Sequence, residues 1–185
     1  MARSTGSPPA RPSARWSRLA DCLIEFEQDE DFAAWRAIDD VVMGGVSRST
    51  LQRHAPGIAS FTGIVSLDRG GGFASVRTQP RAWATADVVS FVLRCRGDGR
   101  QYKFTVRVDD GFDGVQYQAR FAPPPDEWTT VVIPVAAFAA SFRGRPVPGA
   151  QPLEPAQIRQ LGLMIGDKQP GPFELLIDWI GAARA

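Results

Sequence analysis

From residue 22 onward the chain alternates apolar and polar positions in short runs, and most runs close on glycine, proline or aspartate. Cys22, Ile24 and Phe26 share one face, with Glu25 and Glu27 among the residues opposite, which predicts a first strand over 22–28. The acidic triplet Asp29, Glu30 and Asp31 opens a short helical turn that leads to Trp35. After a glycine-rich loop, residues 58–67 predict a strand with a break at Gly63, and the glycines at 70–72 turn the chain into a strand over 73–79. Val89, Phe91, Leu93 and Cys95 line one face of the next run. Gly97-Asp98-Gly99 has hairpin chemistry, and the chain returns with Tyr102, Phe104, Val106 and Val108 on one face. Val115, Tyr117, Ala119 and Phe121 repeat the pattern. A strand over 127–135, a small helical turn within 136–142 and a proline-rich loop over 144–155 follow, and strands over 159–167 and 173–180 close the chain. No long stretch keeps a helical period. Short strands separated by turns predict an all-β antiparallel sandwich or barrel, with Phe91, Leu93, Phe104, Val106, Leu163, Ile165, Leu175 and Ile177 in its core.

Composition narrows this to one domain. The chain has 185 residues, 44% hydrophobic and 22% charged, enough to bury a real core. We place that domain at 21–182 and expect residues 1–20 to be a disordered tail. The tail is rich in arginine and serine and has no acid, as in an organelle transit peptide, but Pro8, Pro9 and Pro12 oppose the amphipathic helix of such peptides. A net charge of +1 gives no overall attraction to nucleic acid or to an anionic membrane. No apolar run approaches the roughly 20 residues that span a bilayer. Cys22 and Cys95 lie far apart in strand-like runs and read as buried free thiols.

Two stretches carry candidate chemistry. The first is Trp35–Ser47, WRAIDDVVMGGVS, too polar and too glycine-rich for a core strand. It reads as a loop held at both ends, with Trp35 and Ile38 as anchors and with Gly44 and Gly45 in conformations that a β-carbon disfavours. Its adjacent carboxylates, Asp39 and Asp40, point to opposite faces of an extended chain and so do not flank one glycosidic bond together. They would cap backbone N–H groups of the following turn or supply oxygens to a structural Ca²⁺, and Arg77 or Arg143 would pair with one of them. On the capping account asparagine at 40 keeps most of the fold and alanine does not. The second stretch is the polar side of the best strands: Lys103, Thr105 and Arg107 on one, and Gln116, Gln118 and Arg120 on the next. Such a face is ordinarily solvated; on a concave sheet it becomes a groove.

Catalytic and cofactor patterns are sparse. His54 is the sole histidine and sits in an expected loop without a nucleophile motif, and there is no CxxC and no glycine-rich phosphate loop. We therefore expect no enzyme, no cofactor and no metal. Arg96-Gly97-Asp98 is explained by turn chemistry, while the charges of Asp167 and Lys168 belong to a polar turn or to a recognition rim.

Six pieces, in order, carry a family resemblance. They are W-x3-D-D-x-V-M-G-G-x-S at Trp35–Ser47, F-x-G at Phe61–Gly63, G-G-F-A-S-x-R at Gly71–Arg77, R-G-D-G-R-x-Y at Arg96–Tyr102, F-R-G-R at Phe142–Arg145 and G-x-M-I-G-D-K-Q-x-G-P-F at Gly162–Phe173. Together they resemble the complex I intermediate-associated protein 30 family. The resemblance implies a galactose-binding-domain-like sandwich of the jelly-roll kind. It also implies a chaperone-like role, without catalysis, in assembling the respiratory NADH:ubiquinone oxidoreductase, whose subunits or assembly intermediates would be the partner. The compartment would be the mitochondrial matrix in a eukaryote and the cytoplasm in a bacterium. On this reading Trp35, Asp39, Asp40, Met43, Gly44, Gly45, Ser47, Arg77 and Arg143 build the loop end that makes or supports the contact. The alternative is a carbohydrate- or small-ligand-binding module using Lys103, Arg107, Gln116, Gln118 and Arg120. Sugars stack on aromatic rings, and the only tyrosines, Tyr102 and Tyr117, fall on the apolar side.

Overall fold

A computed structural model describes residues 20–185, and the expected tail lies outside the described residues apart from Ala20. Among the described residues thirteen strands occur, in chain order β1 Asp21–Glu25, β2 Trp35–Ala37, β3 Arg48–Ala55, β4 Ile58–Val65, β5 Ala74–Thr78, β6 Val88–Arg96, β7 Tyr102–Arg107, β8 Gln116–Phe121, β9 Trp128–Pro134, β10 Ala139–Phe142, β11 Arg145–Pro146, β12 Gln160–Ile165 and β13 Gly171–Arg184. One helix of five residues, Asp29–Ala33, starts at the acidic triplet, where Asp31 accepts the N–H groups of Glu27 and Gln28. The strands form two antiparallel sheets. One runs β3-β4-β13-β6-β9 with β1 also on β13, and the other runs β11-β10-β8-β7-β12-β5-β2. The fold is the expected antiparallel sandwich.

The core lies between the sheets, and all eight expected core residues are buried in it. Aromatic rings join the layers: Phe91 of β6 meets Phe104 of β7 at 5.2 Å, and Phe61 of β4 meets Tyr102 of β7 at 6.4 Å. The Tyr102 hydroxyl leaves this core to donate to Asp98 Oδ1 at 2.8 Å. Burial, then the adjacent Asp98 charge, pushes that phenol far above its ordinary value. The same Asp98 accepts from Glu174 N–H, so the Arg-Gly-Asp tripeptide is part of the frame.

Several local expectations are corrected. The turn at 97–99 does not close a hairpin, because β6 and β7 belong to different sheets and the chain crosses between layers there. Gly63 does not break β4. It pairs with both Ser49 and Phe173, and a β-carbon there would lie 2.0 Å from the Arg48 carbonyl oxygen, so glycine allows a close strand approach. His54 sits in β3, a strand whose mostly polar face hid it from pattern reading. Trp35 begins a short strand on β5 rather than a loop. The register of β6 against β13 shifts between Val88 and Ser90, which turns Val89 outward and buries Val88 in its place. Cys22 is exposed rather than buried, while Cys95 is fully enclosed, and both are free thiols. Burial pushes the Cys95 thiol up to about 12, and partial desolvation of the Cys22 sulfur, then the Glu25 charge, raises that thiol to about 12 as well. The 136–142 segment divides into the end of a 3-10 turn and β10. Among the described residues no helix is long and apolar enough to cross a membrane.

Candidate functional site

The outer face of the β8-β7-β12-β5 sheet forms the floor of a groove of about 500 Å³. Strand register explains which side chains meet there. Arg77 on β5 faces Gly162 on β12, Gly162 faces Thr105 on β7, and Thr105 faces Gln118 on β8. One step along, Ser75, Met164, Lys103 and Arg120 form the parallel row. Alternation sends Tyr102, Phe104 and Val106 inward and Lys103, Thr105 and Arg107 outward. The outward set is not a solvated face, however: Lys103, Thr105 and Arg107 are all buried beneath the groove walls. Those walls come from the loops around 70–73, 112–114, 143–144 and 166–168, together with Ile38 and Met43.

Each buried cation on the floor has a defined place. Lys103 Nζ lies 2.7 Å from Asp167, which Arg120 approaches from outside at 3.0 Å. Burial opposes the Asp167 charge, but hydrogen bonds from Arg120 and Lys103 outweigh it and hold its pKa below the ordinary value. Arg107 is 2% exposed and donates to Asp109 Oδ1 at 2.7 Å, to the Asp113 carbonyl at 2.8 Å and to the Gly114 carbonyl at 3.3 Å. Gln160 adds a hydrogen bond to the Asp109 carbonyl at 2.7 Å. These donors shape the 109–114 loop, which lifts Phe112 to the groove's edge with 64% of it exposed. Arg77 donates to the Phe112 carbonyl at 2.8 Å and lies 5.7 Å from the centre of its ring. Phe112 escaped the sequence reading; its mark there is a lone aromatic within the polar run D-D-G-F-D-G at 109–114.

The Trp35–Ser47 segment supports this site more than it lines it. Asp40 is 1% exposed and accepts four hydrogen bonds: Ser47 N–H on Oδ1 at 2.9 Å, and on Oδ2 the Ser47 hydroxyl at 2.6 Å, Gly72 N–H at 2.7 Å and Phe73 N–H at 3.3 Å. Asp39 accepts Ser49 N–H at 2.8 Å, the Ser49 hydroxyl at 2.6 Å and Ser75 N–H at 2.9 Å. Ser75 in turn donates its hydroxyl to the Ile38 carbonyl. The two carboxylates thus tie one loop to β3, β5 and the glycine turn beside the groove. They serve distant strands rather than only the following turn. Neither Arg77 nor Arg143 pairs with them, since Arg77 goes to Phe112 and Arg143 to Asp113 at 2.5 Å.

The two glycines of the loop act differently. Gly44 has φ +91° with open space around it, whereas Gly45 is needed because its β-carbon would lie 2.3 Å from Asp40 Oδ1. Gly71 crowds the other oxygen in the same way, at 2.6 Å. Trp35 packs into the core at 6.3 Å from Phe26, and Ser47 is wholly buried. Of the loop residues singled out in the sequence, Met43 reaches the groove, where it is 52% exposed. The remaining candidates divide simply. Arg77, Arg143, Lys103, Arg107, Gln116 and Gln118 line the same groove as Met43, and Arg120 stands outside it on Asp167. Met43, Arg77 and Arg143 of the first suggested surface therefore share one groove with Lys103, Arg107, Gln116 and Gln118 of the second.

The family model of complex I intermediate-associated protein 30 matches residues 24–177, which takes in the whole groove and most of both sheets. The chain belongs to the complex I intermediate-associated protein 30 family. An uncharacterized protein of Schizosaccharomyces pombe is 30% identical over 182 residues, covering 86% of this chain and 83% of that one. The mitochondrial complex I intermediate-associated protein 30 of Drosophila melanogaster is 27% identical over 185 residues and that of Mus musculus 28% over 182 residues. The alignments cover 87% and 88% of this chain but only 62% and 56% of the fly and mouse proteins. Among solved structures, the family 11 carbohydrate-binding module of a Clostridium thermocellum cellulosomal cellulase superposes with a TM-score of 0.63 at 15% identity, covering 90% of this chain and 95% of that one. The same family 11 module in complex with a mixed-linked tetrasaccharide gives 0.61 at 14% identity, covering 90% and 97%. These likenesses show the sandwich fold of the family's domain, and they say nothing of its ligand.

Proposed function

We propose that this protein is a non-enzymatic binding module that holds a segment of another protein in the groove, as an assembly factor for the respiratory NADH:ubiquinone oxidoreductase. The observation that carries this reading is the make-up of the groove. Its floor is cationic and amidic, its edge carries the exposed apolar side chains of Met43 and Phe112, and its tyrosines are turned into the core. Mixed apolar and charged edges suit a polypeptide, whose side chains offer both kinds of contact. Membership of the family, with relatives named for intermediates of complex I, supports the choice of partner.

Carbohydrate is the second reading. Phe112 offers one ring at the edge, and Gln116 and Gln118 offer amides beside it, on a fold shared with a module solved with a tetrasaccharide. Affinity capture from the native cell, followed by mass spectrometry, tests the first reading with Gln118→Trp as the control. Gln118 points away from the core, so tryptophan there fills the groove without disturbing the packing. Subunits of the respiratory complex should be enriched by the wild type and lost with the variant. Absence of those subunits, together with saturable binding of the mixed-linked tetrasaccharide, would decide for carbohydrate.

A further inference from the structure

The groove is electrically lopsided in a chain that is nearly neutral. Five cationic side chains line it against two carboxylates, while the whole chain carries +1. Both of those carboxylates are already engaged, Asp167 by Lys103 and Arg120, and Asp113 by Arg143. Arg77 differs from Lys103, Arg107 and Arg143, each of which pairs with a carboxylate. Among the described residues its guanidinium meets a carbonyl and a ring, and no carboxylate pairs with it directly. Partial burial, and then the nearby Arg107 cation, lowers its pKa to about 10, with the Asp109 and Asp113 charges opposing the shift, so it stays charged at neutral pH. Arg107 itself is nearly wholly buried, with its Nε–H unpartnered among the described residues.

Beside Arg77 the floor has no side chain of its own at Gly162. Gly162 pairs with Arg77 on one side and Thr105 on the other, and a β-carbon there would lie 2.4 Å from Thr105 Oγ1. Across that row the Thr105 side chain alone stands between Arg77 and Gln118, with its hydroxyl leaning over Gly162. The space is open, positively charged and bounded by groups that donate hydrogen bonds.

We propose that the groove recognises an acidic segment of its protein partner, with an aspartate or glutamate carboxylate seated on the Arg77 guanidinium above Gly162. The inference rests on the reading of the partner as a protein. A planar guanidinium offers a carboxylate two parallel N–H groups, and an anion there supplies the direct carboxylate partner that Arg77, unlike Arg107 with Asp109, lacks. Lysine-rich or neutral segments gain nothing there, so the groove selects by charge.

The test is fluorescence anisotropy with labelled hexaglutamate, hexaglutamine and hexalysine, and with wild type, Arg77→Gln and Gln118→Glu. The wild type should bind hexaglutamate in a salt-sensitive way and neither of the other peptides. Arg77→Gln should weaken binding by about tenfold or more with the melting midpoint held, as expected for loss of a charge-assisted pair. Gln118→Glu, which brings a like charge to the same row, should weaken it as well, and it decides the matter should Arg77→Gln fail to fold. Equal affinity of wild type and Gln118→Glu, equal binding of hexaglutamine, or no binding of hexaglutamate would overturn the proposal. Tighter binding of a short oligothymidylate than of hexaglutamate would also overturn it, in favour of nucleic acid. Affinity capture keeps the two readings apart. Respiratory subunits captured without hexaglutamate binding sink the acidic segment alone, and hexaglutamate binding without those subunits sinks the choice of partner alone.

Discussion

Replacing Asp40 by alanine is expected to destabilise the protein by about 3–5 kcal/mol, because it strands buried donors and removes a compensated buried charge. Three backbone N–H groups and one hydroxyl end on this carboxylate. They come from two segments that are distant in sequence, so one side chain joins the loop to the glycine turn. Asparagine should not rescue the site, contrary to the expectation from capping alone. Donors approach both oxygens, so the amide nitrogen faces a donor whichever way it is turned, at a cost of about 1–3 kcal/mol. With both substitutions harmful, a chelator separates this arrangement from a Ca²⁺ site: the wild-type melting midpoint should not change. The pH dependence has a definite sign. Burial raises the pKa of Asp40, but the hydrogen bonds from Ser47, Gly72 and Phe73 outweigh it, and the folded value lies below the ordinary 3.8. A depressed folded value means stability that is complete above about pH 3.8 and is lost as pH falls through the folded value. Acid unfolding of the wild type should show this extra loss, and acid unfolding of Asp40→Ala should lack it.

Phe104→Ala should cost about 3–5 kcal/mol in urea denaturation, the range for deleting a buried aromatic ring. Phe104 is fully buried and meets Phe91 at 5.2 Å and Phe138 at 6.1 Å, so it clasps β7 to the opposite layer. Its chain neighbours Lys103 and Thr105 form the groove floor. A cavity beneath them should therefore weaken partner capture even under conditions where the variant stays folded. Phe104→Leu, which refills part of the volume, should recover much of the stability. A loss under about 1 kcal/mol for the alanine variant would mean that the layers do not depend on this contact.

The sandwich was legible in the sequence because alternation marks a strand buried on one face. Leu93, Phe104 and Leu163 each follow that rule and each is fully buried. Partner choice between strands was not legible. The turn at Gly97-Asp98-Gly99 has the residues of a hairpin, but the inward side chains of β6 and β7 face each other across the core, and that is settled by long-range packing. The carboxylate pair was recognisable as structural from its glycine-rich setting, but its partners were not, since Gly72, Phe73 and Ser75 lie more than thirty residues on. The polar side of β7 looked solvated for a related reason. Its cover comes from the 109–114 and 166–168 loops, and alternation within β7 carries no information about them.

Hydrogen–deuterium exchange on the wild type, free and bound to its captured partner, tests most directly whether the groove is the working surface. The binding account predicts slower exchange at the loops around 70–73, 112–114, 143–144 and 166–168, with the outer face of β3, β4, β6 and β9 unchanged. Slower exchange on that opposite sheet, with the four groove loops unchanged, would contradict it.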